Sequence, residues 1–287
     1  MMSAMRLCLL TALTMLAFAA NSVLNRWAVG AGHIEAVDFA FVRVVAGAAT
    51  LSALLLLQRG ALVWPGRQGR VAGVLGLAVY LIGFSLAYRG INAGTGALVL
   101  FGTVQVMMFA GALRSGEALP ARRWAGAGLA LVGLALIAAP GDSGVALVPL
   151  GLMAAAGIGW GVYSLAGRHA TDPLAETAWN FVLAAPLVLP LWLIAGDGAP
   201  DAVGVALAAV SGAVTSGLGY ALWYRILPAL GAGRAAAAQL TVPVIAALGG
   251  AILLAEVPGP QYWLSAALVL GGVALASLPE QRFFSRR

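Results

Sequence analysis

Few side chains in this sequence can do chemistry, and the most unusual of them is Arg43, about two turns inside a long apolar run. Its guanidinium could bind the carboxylate of a small molecule. It could instead form a structural ion pair with Asp38 or Glu35 upstream, or extend along its helix to the surface. We favour the structural role and retain Arg43 as a candidate for binding.

Neutral polar side chains inside apolar runs form a second group of candidates. Asn21 and Gln239 lie near the middle of their runs, and Gln105 lies inside another. Such side chains either hydrogen-bond a neighbouring helix or line a cavity, and the sequence leaves both roles open.

Aromatic residues give the clearest indication of a ligand. Tyr80, Phe84 and Tyr88 recur at every fourth residue, which places them on one face of a helix. Tyr88 lies near the end of its run and could belong to an aromatic belt instead. Aromatic walls with a few polar groups suit a flat, amphipathic ligand. The candidate substrate-binding residues are Asn21, Arg43, Tyr80, Phe84, Gln105, Trp160, Tyr163, Tyr220 and Gln239.

None of the patterns typical of enzymes is present in the sequence. His33 and His169 fall in predicted connections far apart, and Cys8 is the single cysteine. No glycine-rich phosphate loop is followed by lysine. None of the ten acidic residues lies near the middle of an apolar run, which disfavours the exchange of an organic cation for a proton. We expect no enzyme activity, no cofactor and no metal.

The composition indicates an integral membrane protein. Of the 287 residues 62% are hydrophobic and 9% are charged, and the mean hydropathy is +0.96. A bilayer core requires roughly 20 apolar residues per helix. The apolar runs predict an all-α fold of ten membrane helices at 7–28, 36–58, 69–88, 94–113, 121–139, 146–167, 174–195, 202–223, 233–254 and 260–278.

The arginines determine the expected orientation. If the N-terminus is cytoplasmic, 13 of the 16 basic residues fall at cytoplasmic helix ends, and Arg26 and Arg89 fall on the far side. Because basic residues are retained in the cytoplasm, we expect both termini there, in a bacterial inner membrane. The net charge of +6 then reflects topology and does not indicate a nucleic-acid partner.

A weak internal repeat divides the chain into two halves. Residues 94–138 align without gaps with 233–277, and the most informative matches are Glu117 with Glu256 and Trp124 with Trp263. Five helices is an odd number, so the second half would cross the membrane in the opposite direction. We predict two inverted five-helix repeats, at residues 1–143 and 144–287. The two glutamates would lie at the starts of the fifth and tenth helices, where the helix dipole favours acids.

The ten short-looped helices, the repeat and the Glu corner before the last helix of each half resemble the EamA-type exporters of the drug/metabolite transporter superfamily. The sequence Gln239-Leu-Thr241-Val-Pro243 matches that family's polar residue followed by proline in the ninth helix. The resemblance implies that the fourth and ninth helices line a central cavity. We expect Pro243 to be a hinge. Its counterpart is Val104, so only the second half is predicted to bend.

These observations predict an exporter of amino acids, aromatic or other neutral ones, and related metabolites. The aromatic-rich composition is most similar to the aromatic amino-acid exporters of the family. Its partners would be the small-molecule substrate and the lipid bilayer, and it would act as a monomer by alternating access or facilitated efflux. Two alternatives remain: a carrier of phosphate-bearing metabolites or nucleotide sugars, for which only Arg43 is suitably placed, and a membrane scaffold without a solute path.

Overall fold

A computed structural model describes residues 2–114, 120–139, 146–167, 170–196 and 199–277. In these ranges the regular structure is helical. The first seven helices are α1 (Ala4–Gly30), α2 (Ala36–Arg59), α3 (Arg70–Ala87), α4 (Ala93–Arg114), α5 (Ala121–Ala138), α6 (Leu147–Gly167) and α7 (Pro173–Ala195). Each boundary lies within a few residues of the one predicted from hydropathy. Glu117 and His169 lie outside the described residues.

The chain between Ala202 and Leu254 is less regular than the rest. Helix α8 spans Ala202–Gly231 and contains an eight-residue π-helical segment, Ser211–Leu218. Gly231, with φ 70° and ψ 164°, interrupts the helical backbone. Helix α9 spans Ala237–Leu254, and α10 spans Pro260–Ser277. The predicted end of the eighth helix at residue 223 is therefore wrong, because the break occurs at a glycine conformation that other residues rarely adopt.

Nine of the helices in the described ranges are long and apolar enough to cross a membrane. Helix α10 has 18 residues, but its first turn carries the polar and aromatic side chains of Gln261, Tyr262 and Trp263. Large apolar side chains face outward, and Leu57 and Ile194 are 85% and 84% exposed. Because water would disfavour such exposure, this exterior is suited to lipid.

Close helix contacts form where small residues meet. Helix α3 packs on α6, α5 on α10, α2 on α7, and α4 on α9. At the α3–α6 contact, a Cβ atom added to Gly159 would lie 2.6 Å from the carbonyl oxygen of Gly76. Only a residue without a side chain permits the two backbones to approach so closely.

The helices run antiparallel between two ends of the bundle. The Glu256 end carries Gly30, Ala87 and Glu256, and the Arg59 end carries Arg59, Gly167 and Gly231. Pro243 lies near the start of the regular turns Thr241–Leu254, after an interruption at Leu240. Pro243 cannot donate to the carbonyl of Gln239, so this turn loses one hydrogen bond, but Leu240 keeps right-handed helical dihedral angles. The role of Pro243 as a hinge stays a prediction. Helix α4, which the internal repeat pairs with α9, is continuous from Ala93 to Arg114.

Candidate functional site

The centre of the bundle is a cluster of aromatic rings at the middle depth of the helices. The Trp160 ring lies 4.6 Å from that of Tyr220, 5.1 Å from that of Tyr80 and 5.2 Å from that of Phe18, measured between centroids. The rings surround a small cavity of about 10 Å³, hereafter the central cavity. It is lined by Phe18, Asn21, Tyr80, Phe84, Leu100, Phe101, Trp160 and Tyr220.

Arg43 lies directly behind the tyrosine hydroxyls of this cavity. Its side chain is fully buried and donates to the hydroxyl oxygens of Ser216, Tyr80 and Tyr220 at 2.8, 2.9 and 2.8 Å. The guanidinium carbon also lies 4.9 Å from the centre of the Phe84 ring. Nη1 has no hydrogen-bond partner, and no ion pair among the described residues includes Arg43.

The ion pair and the surface position expected for Arg43 are therefore not found. Asp38 does not pair with it and accepts a hydrogen bond from the indole of Trp192 at 2.7 Å. Glu35 forms an ion pair with Arg89 at the Glu256 end. The guanidinium does not reach the surface either, because the hydroxyls hold it inside.

Asn21 joins α1 to the π-helical segment of α8. Its Oδ1 accepts from the hydroxyls of Ser211, Thr215 and Ser216 at 2.8, 2.5 and 3.1 Å. Its Nδ2 donates to the Tyr220 hydroxyl at 3.4 Å. A π-helix widens the turn by one residue, and this turn directs three hydroxyls toward one oxygen. Hydropathy carries no signal for such a segment, since its residues are as small and apolar as those of an ordinary membrane helix.

A larger space opens toward the Arg59 end of the bundle. This vestibule has a volume of about 250 Å³, and Gln105 and Gln239 both line it. The Trp223 ring, which also lines the vestibule, lies 5.6 Å from the Phe18 ring of the central cavity. These two rings therefore separate the vestibule from the cavity. Sequence reasoning missed both residues, because neither belongs to a polar pattern or to the recognised aromatic stripe.

A cluster of polar contacts lies across the Glu256 end. Arg26 Nε binds Glu256 Oε1 at 2.6 Å, and Arg26 Nη1 donates to the carbonyl of Tyr88 at 2.9 Å. Glu256 Oε2 accepts from the backbone N–H of Ala93 at 2.8 Å. Glu256 was expected to stabilise the N-terminus of the tenth helix. It caps the N-terminus of α4 instead, because the turn between α9 and α10 brings its side chain to α4.

The structure brings together most of the predicted binding residues. Asn21, Tyr80, Phe84, Trp160 and Tyr220 line the central cavity, and Gln105 and Gln239 line the vestibule. Tyr163 is buried between Trp160 and Tyr224, with ring centroids at 5.3 and 4.9 Å, and lines neither space. Their role in binding remains a prediction.

Two ion pairs connect α7 to its neighbours at the Arg59 end. Arg70 binds Glu176 at 2.5 Å and Asn180 Oδ1 at 2.7 Å. Arg59 binds Asp172, whose side chain also accepts from the N–H of Ala175 and caps α7. The hydrogen bond from Arg59 holds the pKa of Asp172 below its ordinary value.

A helical bundle with an apolar exterior, a buried polar centre and a space open toward one end is a membrane-transporter architecture. The sequence profile of the EamA-like transporter family matches residues 5–139 and again residues 148–278. The chain belongs to this family, and it is a multi-pass membrane transporter of small molecules.

Two further similarities agree with this assignment. The chain is 46% identical over 275 residues to an uncharacterized protein of Pseudomonas aeruginosa, covering 96% of this chain and 95% of that protein. A crystal structure with 19% sequence identity superposes with a TM-score of 0.69, covering 96% of this chain and 98% of the other. At that identity the second similarity concerns the fold alone.

Proposed function

We propose that this protein exports amino acids, aromatic or other neutral ones, and related metabolites across the bacterial inner membrane by alternating access. The observation that carries the proposal is the aromatic central cavity with hydroxyl and amide groups on its wall. It lies at mid-depth, and the vestibule approaches it from the Arg59 end. The side chains of this wall suit a flat amphipathic solute. A volume of about 10 Å³ holds no more than a water molecule, so the rings must move apart to admit the solute.

The two ends of the bundle support a mechanism with alternating access. The vestibule reaches the Arg59 end, and the Arg26–Glu256 ion pair lies across the other end. Because most arginines fall at the Arg59 end, we take that end to be cytoplasmic. In this conformation the protein would receive a solute from inside the cell. We further propose that residues 1–143 and 144–287 are inverted repeats. Their exchange of conformations would close the vestibule and open the Glu256 end.

Counterflow of radiolabelled phenylalanine in proteoliposomes tests the proposal. We expect uptake above that of empty vesicles, and we expect Trp160→Ala to lower it at least tenfold because the cavity loses a wall. Trp124→Ala is the matched control, since Trp124 is exposed on α5 and lies away from both spaces. The proposal fails if no neutral amino acid crosses faster than in empty vesicles.

Tag accessibility tests the proposed orientation separately. A C-terminal tag should react with an impermeant reagent only after the inner membrane is made permeable. A tag that reacts from the periplasm of intact cells would reverse the topology.

A further inference from the structure

We propose that the central site recognises the aromatic ring and the carboxylate of its substrate but not an amino group. Aromatic monocarboxylates would then be substrates alongside aromatic amino acids. This inference rests on the proposed transport function and narrows its substrate class.

The unused hydrogen-bonding groups around the central cavity are donors. The hydroxyls of Tyr80 and Tyr220 share one hydrogen bond of 2.9 Å, so one phenolic proton is left without an acceptor. Arg43 Nη1 and Trp160 Nε1 are buried without partners. Guanidinium and indole N–H groups can only donate, and a carboxylate can only accept. A carboxylate at the tyrosine hydroxyls would therefore accept the phenolic proton that the protein leaves unpaired.

The charge of Arg43 favours the same ligand. A buried cation without a counter-ion is costly, and Arg43 has only neutral hydroxyls and rings as partners. Two of those hydroxyls belong to tyrosines that line the cavity. A carboxylate bound to them would supply the missing negative charge one hydroxyl away from the guanidinium. Arg43 would thus act through the tyrosines, as a positioning residue with an electrostatic effect.

The described residues that line the central cavity offer no comparable partner to an ammonium group. Asn21 Oδ1 is the amide acceptor of the cavity wall, and three hydroxyls already donate to it. None of the described residues that line the central cavity or the vestibule is acidic. The faces of the aromatic rings can attract an ammonium ion. They would attract 2-phenylethylamine as strongly as the ammonium group of phenylalanine, so this attraction does not select an amino acid. Of the two charged groups of an amino acid, the site therefore offers specific contacts to the carboxylate and none to the ammonium group.

This specificity has a consequence for the driving force. An amino-acid zwitterion carries no net charge, whereas a monocarboxylate carries one negative charge outward. An inside-negative membrane potential favours that movement. For one elementary charge, about 100 mV corresponds to about a 50-fold concentration ratio at equilibrium. Export of the monocarboxylate would then need no coupled proton.

Calorimetric titration of the full chain in detergent tests recognition. Four probes share a phenyl ring and a short chain: 3-phenylpropionate, phenylalanine, 2-phenylethylamine and 3-phenylpropanamide. We expect 3-phenylpropionate to bind at least as tightly as phenylalanine, whose ammonium group finds no partner, and the carboxylate probes to bind more tightly than the amine and the amide, 3-phenylpropionate by at least tenfold. Phenylalanine binding tenfold more tightly than 3-phenylpropionate, or the amine binding as tightly as either, would overturn the inference.

Two variants connect this preference to the site. Arg43→Gln should weaken binding of 3-phenylpropionate about tenfold or more and leave the amide nearly unchanged. Arg89→Gln is the control, because Arg89 lies at the Glu256 end and pairs with Glu35. If Arg43→Gln does not fold, Tyr80→Phe removes one donor and keeps the ring. Equal losses for the carboxylate and the amide in Tyr80→Phe would contradict the assignment.

Transport under an imposed potential separates the two proposals. In proteoliposomes with a potassium diffusion potential, 3-phenylpropionate flux should rise with the potential, and phenylalanine flux should not. Phenylalanine transport without transport or binding of 3-phenylpropionate would leave the exporter function standing and refute the carboxylate inference. Arg43-dependent binding of 3-phenylpropionate without transport of any probe would support the site and refute the exporter function.

Discussion

At the scale of single residues, the centre of this protein depends on one saturated acceptor and one unpaired cation. Asn21 Oδ1 collects three hydroxyl protons from α8, and Arg43 donates to three hydroxyl oxygens from α3 and α8. Ser216 belongs to both sets and joins them. Buried polar groups that satisfy one another in this way position their helices, since a lost partner leaves a buried group unsatisfied.

The first prediction concerns Asn21. Replacing it with alanine leaves the hydroxyls of Ser211, Thr215 and Ser216 without their shared acceptor. We expect Asn21→Ala to lower the free energy of unfolding by about 1–3 kcal/mol, measured by denaturation in detergent. Gln58→Ala removes a side-chain amide at an exposed position of α2 and should change the free energy of unfolding by less than about 0.5 kcal/mol. Similar losses in the two variants would contradict this role.

The second prediction concerns pH and Asp172. Because Arg59 lowers the pKa of Asp172 in the folded protein, the pair stabilises the fold above the ordinary carboxyl pKa of about 3.9. This stabilisation is lost as the pH falls through the lowered pKa of Asp172 in the folded protein. Asp172→Asn keeps the cap on α7 and removes the charge. Its midpoint of thermal unfolding should therefore fall less between pH 6 and pH 3 than that of the parent protein. An equal fall in both proteins would show that the ion pair contributes nothing.

At the scale of helices, close backbone contacts determine where the rings meet. The approach of α3 to α6 places Tyr80 against Trp160, and it depends on Gly76 and Gly159. The π-helical segment of α8 similarly places Ser216 and Tyr220 beside Arg43. Both features are properties of the backbone, and the aromatic and polar side chains of the central cavity follow from them.

The third prediction tests the α3–α6 contact. The added Cβ atom of Gly159→Ala would lie 2.6 Å from the Gly76 carbonyl oxygen and 2.8 Å from the Tyr80 nitrogen. The helices must separate, and we expect a loss of about 1–3 kcal/mol in unfolding free energy together with slower transport. Gly151→Ala on the same helix meets no atom within 4 Å and should be neutral or slightly stabilising. A neutral Gly159→Ala would disprove the tight contact.

At the scale of the whole molecule, the two ends of the bundle differ. The Arg26–Glu256 pair joins α1 to the corner before α10 and also bonds the backbone of α3 and α4. Its side chains are only 21% and 11% exposed, so the pair is better shielded than the surface pair of Glu35 and Arg89. In the proposed transport cycle this pair must break before the Glu256 end can open.

The fourth prediction measures that opening. Ala247 is buried against Gly94 behind the ion pair, so a cysteine there reports access from the Glu256 end. In a Cys8→Ser, Ala247→Cys background, Arg26→Gln should raise the rate of modification by an impermeant thiol reagent about tenfold. This corresponds to about 1.4 kcal/mol between the closed and open states. Arg89→Gln, a control at the same end, should leave the rate of modification unchanged. An unchanged rate in Arg26→Gln would show that the pair does not control opening.

The sequence alone determined the class and the helix content of this protein. Membrane helices are set by local hydropathy over about 20 residues, so nine of the ten spans were predicted to within a few residues. The aromatic stripe of Tyr80 and Phe84 was likewise local, since one helix presents both rings on one face.

Only the tertiary structure decided what surrounds Arg43 and where the chain bends. The partners of Arg43 are 37, 173 and 177 residues away along the chain. The π-helical segment and the break at Gly231 lie in sequence that hydropathy treats as ordinary helix. These features depend on which helices pack together, and that is decided by the whole bundle and not by neighbouring residues.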